Sequence, residues 1–124
     1  MLSNPPHIIG VLGLRPPKHQ WLARLQRLVR RELPGFMCLP FECETRYLKN
    51  TIACLKLMDI SALIIHGSHR KKIVRHIRSL DTHAKKRKTI DLVVKRGTRF
   101  VGMALETTSP SPLSLIRLLK QNHR

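Results

Sequence analysis

The stretch Leu63–Val74, LIIHGSHRKKIV, decides the fold. An apolar, β-branched run passes through Gly67-Ser68 into a segment that resumes apolar spacing at Ile73 and Val74. That order reads as a buried strand, a turn and the start of a helix, the join of an α/β unit. The helix opens on Arg70, Lys71 and Lys72. A helix N-terminus carries partial positive charge, so cations there are unfavourable unless an anion accompanies them. The join is therefore both a fold marker and a first candidate site.

Toward the N-terminus, His7–Leu14 (HIIGVLGL) reads as a strand ended by Pro16-Pro17. His19–Leu33 places Trp21, Leu22, Leu25, Leu28 and Val29 on one helical face and Arg24, Arg27 and Arg31 on the other. Pro34-Gly35 ends that helix. Phe36–Cys43 is a second strand, with Pro40 marking an edge or a bulge. Arg46–Met58 is a second helix, facing Leu48, Ile52, Leu55 and Met58 inward, and Ser61–His66 is a third strand. Ser68 is the expected N-cap of a third helix that buries Ile73, Val74, Ile77 and Leu80.

Toward the C-terminus, Asp81–Lys88 is a polar, basic connection with a helical turn. Asp91–Leu105 reads as two strands around Arg96-Gly97-Thr98, an antiparallel hairpin. Ser109–Pro112 (SPSP) is a loop, and Ser111 and Pro112 suit the N-cap and first position of a last helix to about Asn122. Leu115, Ile116 and Leu119 share one face of it. Strand–helix alternation followed by a hairpin predicts one α/β domain over 1–124. The expected form is a three-layer sandwich with a mostly parallel sheet and an antiparallel hairpin near its C-terminal part.

The chain has 124 residues, enough for one core, and 42% are hydrophobic. Aromatics are only 4%, so Leu, Ile and Val must fill that core. Cys38, Cys43 and Cys54 are odd in number and lack paired CxxC spacing, which argues against a disulfide framework or a zinc site. Cys38 and Cys54 lie among apolar residues and read as small core hydrophobes. MLSNPPHIIG has no signal-peptide layout and no run approaches a membrane span, so a cytoplasmic protein is expected. The net charge of +17 is the unusual number, and the basic residues run from Arg15 to Arg124. Such a field attracts nucleic acid, RNA included, anionic lipid or an acidic partner protein.

The order of IIGVLG, MCLPFE, LKLMDISALII, LDTHAKK and TIDLVVKRGTRFVGMALE resembles the N-terminal, substrate-binding domain of shikimate dehydrogenases. The resemblance covers about residues 8–120. LETTSPSPLSLIRLLK is similar to the family's passage into its NADP domain, so 107–124 would be that interdomain connection. No Gly-rich dinucleotide loop occurs in these residues, so NADP is expected only if a separate partner supplies its domain.

The departures lie at the polar positions. The family turn resembles N-V-T-x-P-H-K, with the lysine as acid–base group; here Ile64–Arg70 stand there, keeping His69 but placing Arg70 at the lysine. Arginine holds its proton at working pH and shuttles it poorly. The family's N-T-D aspartate corresponds to Glu106 and an asparagine to Asp91. Its substrate-carboxylate serines are replaced by Lys18, His19 and Gln20.

The resemblance therefore implies a domain that is non-catalytic alone, in which Arg70 and Glu106 are a vestigial catalytic pair across an open cleft. It would hold a small anion or dock to a partner. The expected ligand-binding residues are Lys18, His19, Gln20, His66, Gly67, Ser68, His69, Arg70, Asp91 and Glu106. His69, His76 and His83 recur every seven residues, but no carboxylate or cysteine is close enough in sequence to complete a metal site, and none is expected. The alternative is a basic α/β module that binds RNA. It would use the cationic faces of Arg24, Arg27 and Arg31 and of Arg70, Lys71, Lys72, Arg75 and Arg78, with the cluster Lys85, Lys86, Arg87 and Lys88. No aromatics interleave these cations, which argues against a stacking platform. A fragment of a full dehydrogenase is the weakest reading, because so many polar positions differ.

Overall fold

A computed structural model describes residues 7–106 and 110–122. Six strands form one sheet: β1 (His7–Gly13), β2 (Phe36–Glu42), β3 (Ile60–Ile65), β4 (Ser79–Leu80), β5 (Leu92–Arg96) and β6 (Arg99–Met103). Five helices flank it: α1 (His19–Glu32), α2 (Leu48–Leu57), α3 (His69–Lys72), α4 (Thr82–Arg87) and α5 (Pro112–Asn122). The sheet order is β2-β1-β3-β5-β6-β4. β1 pairs in parallel with β2 and β3, and β4 with β6, while β3–β5 and β5–β6 are antiparallel. The three-layer α/β sandwich and its C-terminal hairpin are as the sequence predicts.

Each face of the sheet buries its own cluster. On one, Ile9, Val11, Ala62 and Ile64 meet Leu25, Leu28 and Val29 of α1 and Leu115, Ile116 and Leu119 of α5. On the other, Leu12, Leu63 and Ile65 meet Leu48, Ile52 and Leu55 of α2, with Ile73 and Ala84. Central strands covered on both sides need continuous apolar runs, and β3 (ISALII) supplies one. β2 is an edge, which is why Pro40 is tolerated opposite Val11. The β5–β6 loop is Gly97-Thr98, with Gly97 at φ +63, a backbone conformation that favours glycine. Ser111 caps α5 as expected, its Oγ accepting the Ser114 N–H at 3.2 Å.

Three local expectations are corrected. The third helix is one turn, α3, followed by a 3-10 segment, Ile73–His76, and then β4. Ser79 and Leu80 pair with Val101 and Gly102, and that pairing pulls the chain out of a helix. Ser68 sits in helical backbone and makes no side-chain cap; the cap nearby is Asp81, whose carboxylate accepts the Ala84 N–H at 2.7 Å and starts α4. Cys54 and Met58 are exposed instead of core, whereas Cys38 is buried and its thiol is pushed up to about 12 by burial. Ser109 lies outside the described residues, as does most of the expected interdomain loop. No helix among the described residues is long and apolar enough to cross a membrane.

Candidate functional site

β1 and β3 lie side by side, yet the helices that follow them lie on opposite faces of the sheet. Such a switch opens a crevice at the carboxyl ends of the strands. His66, Gly67 and Ser68 leave β3 on one side of it; Lys18, His19 and Gln20 open α1 on the other. Trp21 and His66 approach across this end, ring centroids 5.7 Å apart. His66 also donates its backbone N–H to the Leu12 carbonyl at 2.8 Å. Burial first, and then the nearby Arg70 guanidinium, lower the His66 pKa from its ordinary value.

Because β5 runs antiparallel to β3, its start lies beside β3's end. That register brings Asp91 under Arg70. Arg70 Nε donates to Asp91 Oδ1 at 2.6 Å, and Nη2 lies 2.6 Å from the same oxygen. Asp91 Oδ2 accepts the Leu105 N–H at 2.8 Å. The Asp91 side chain is only 1% exposed, so the carboxylate ties the α3 turn to the end of β6. The backbone repeats the tie, with the Ile90 N–H on the Arg70 carbonyl at 2.8 Å.

The expected Arg70–Glu106 pair is therefore corrected. Glu106 is 82% exposed, and its Oε1 lies 3.6 Å from His83 Nε2. Asp91 is buried beneath Arg70, in a supporting position. His69 is fully buried, and its Nε2 lies 2.8 Å from the Cys43 carbonyl oxygen. A carbonyl only accepts, so Nε2 is the donor in this contact. Nδ1 has no hydrogen-bond partner among the described residues.

A cavity of about 630 Å³ opens beside this turn, lined by Gly67, Ser68, Arg70, Lys71, Lys72, Arg87 and Thr89. Four of the seven are cations and none is acidic. Gly67, at φ +66, makes the sharp reversal that exposes the turn. Arg87 points inward from α4 and donates from Nη1 to the Leu105 carbonyl at 2.9 Å, while Lys85, Lys86 and Lys88 stay exposed. Arg87 belongs to the basic cluster in sequence, and only the Asp81 cap fixes the helical phase that turns it inward. Thr89 carries no sequence signal. Lys18, His19, Gln20, His66, His69, Asp91 and Glu106 do not line this cavity.

Three cations at this helix start are tolerated for physical reasons. One turn of helix has little dipole to oppose them. Arg70 is neutralised by Asp91, and Lys71 and Lys72 are exposed. His69, His76 and His83 fall on α3, the 3-10 segment and α4, so they share no helical face. Among the described residues no group of three or more His, Cys, Asp or Glu side chains could hold a metal ion.

These features define an α/β domain with a cation-lined cavity at the end of its sheet, and the comparisons with known proteins place its fold. No protein-family model and no curated protein matches the sequence. The fold is shikimate dehydrogenase-like. The chain is similar to shikimate 5-dehydrogenase from Listeria monocytogenes, solved in complex with shikimate and NAD, at TM-score 0.75 and 17% identity, covering 99% of this chain and 41% of that one. It is similar to shikimate dehydrogenase from Aquifex aeolicus at TM-score 0.72 and 19% identity, covering 83% and 39%. Shikimate dehydrogenase 1 from Peptoclostridium difficile gives TM-score 0.72 and 13% identity, covering 79% and 36%. The chain thus spans about two fifths of the length of these structures.

Proposed function

We propose that this domain holds a small anion, a carboxylate or a phosphate, in the cavity between α3 and α4, without transferring protons itself. The observation that carries the reading is the lining: Arg70, Lys71, Lys72 and Arg87 converge there with no acidic residue among the lining side chains. Charge-assisted hydrogen bonds to an oxyanion are roughly twice as strong as neutral ones, and arginine and lysine are suited to both ligand types. Arg70 supports binding over acid–base chemistry, because a guanidinium fixed 2.6 Å from a buried carboxylate stays charged. Any hydride chemistry would need a nucleotide-binding domain besides this one.

The test is an amide chemical-shift titration with shikimate and, separately, with inorganic phosphate at moderate salt. Saturable shifts centred on Gly67–Lys72, Arg87 and Thr89 are expected for one or both ligands. A dispersed spectrum that neither ligand perturbs at millimolar concentration would overturn the reading.

A further inference from the structure

The other charged feature lies away from that cavity. Two clefts, of about 440 and 580 Å³, adjoin along one side of the molecule and share Lys56 and Arg78 as a common wall. One runs between α2 and the 3-10 segment, bordered by Lys49, Arg75 and His76. The other continues past Ser79 to the β5–β6 turn, bordered by Thr98, Arg99 and Phe100. Five cations border the pair, and none of the seven acidic residues does. None of the five forms an ion pair among the described residues.

We propose that this double cleft is a binding surface for the phosphodiester backbone of a nucleic acid, with Lys49, Lys56, Arg75, Arg78 and Arg99 as phosphate contacts. Two of these side chains already have partners. Arg99 Nη2 donates to Ser79 Oγ at 2.9 Å, and Lys56 Nζ lies 5.7 Å from the Phe100 ring centroid. Phe100 itself is 5% exposed, so bases have no ring there to stack on, and the surface favours backbone contact over base reading. His76 senses the field. Its pKa is lowered by burial, then by Arg75 and Lys49. An elongated row of cations suits a polyanion, whereas a single small anion would engage only part of it.

The sequence-level alternative put the Arg24, Arg27 and Arg31 face of α1 among the contacts. That face lies across the sheet from the double cleft, since α1 packs in the first core cluster and α2 in the second. It therefore serves as an internal control of equal charge.

The experiment measures fluorescence anisotropy of labelled 20-nucleotide RNA and DNA of one sequence against the full chain, across salt concentration. Five phosphate contacts on a single strand give a log–log salt slope of about −3.5. The triple variant K56E/R75E/R78E should weaken binding at least about tenfold and flatten that slope by about 2. R24E/R27E/R31E, with the same change in charge, should lose markedly less. His76 provides a second reading: its pKa, followed by imidazole NMR, should rise on binding as phosphate offsets Arg75 and Lys49. Equal losses in the two variants, an unmoved His76, or no binding of either oligonucleotide would each overturn the proposal. All six substituted side chains are exposed, and a dispersed amide spectrum is the check that both variants fold.

Discussion

At the scale of single residues, Asp91 decides how the α3 turn is built. Its carboxylate faces a guanidinium and a backbone N–H, and it is almost wholly withdrawn from water. Removing one partner of such a pair leaves the other partly buried and uncompensated. Asp91→Ala should therefore cost about 3 kcal/mol, roughly 10 °C in Tm for a domain of this size. A urea or thermal unfolding curve checks this, and a loss below about 0.5 kcal/mol, the usual range for surface substitutions, would show that the tie contributes little. The sequence marked both Arg70 and Asp91, but joined Arg70 to the wrong acid. Glu106 comes next after a strand and looks equivalent on paper. Only the antiparallel register of β5 against β3 shows that Asp91 lies nearer, and register is a long-range property.

At the scale of elements, the long helices and central strands were legible because their apolar spacing is regular. α1, α2, β1 and β3 fall within a few residues of their sequence-based bounds. The segment after Gly67 was not. Ile73, Val74, Ile77 and Leu80 fit a helical stripe, yet Ile77 and Leu80 reach the same core from an extended chain ending in β4. A two-residue strand beside β6 is invisible to periodicity. The end of β3 also carries a pH dependence. His66 titrates below its ordinary value near 6.5 when folded, so the unfolded chain takes up protons first as pH falls. The stability this withholding represents is complete above about pH 6.5 and is lost as pH drops toward the folded-state value. Urea midpoints at pH 7.5 and 5.5 should show that fall, and His66→Gln should reduce it. His76, shifted the same way, leaves a remainder. A variant with an unchanged pH profile would contradict the assignment.

At the scale of the whole molecule, the fold and the placement of charge depend on different information. Composition gave the charge, the order of apolar segments gave the α/β sandwich, and the resemblance of its motifs implied the shikimate dehydrogenase-like fold, which the solved structures bear out at 13–19% identity. Where the +17 charge gathers was beyond the sequence, because it depends on which helices share a side of the sheet. Lys49 and Lys56 on α2, Arg75 in the 3-10 segment and Arg99 on β6 come from separate elements and meet only in three dimensions. The same holds for Arg87 and Thr89, which join the α3 turn from across a loop. The α3 turn is the proposed anion site. Its most direct test is the affinity of shikimate and of phosphate, by calorimetry, for the native chain and for K71Q/K72Q. Both lysines are exposed, so the fold is unaffected. Saturable binding of at least one of them to the native chain is expected, with a loss of about tenfold in the variant, about 1.4 kcal/mol. Equal affinity in the two proteins, or no binding to the native chain, would contradict it.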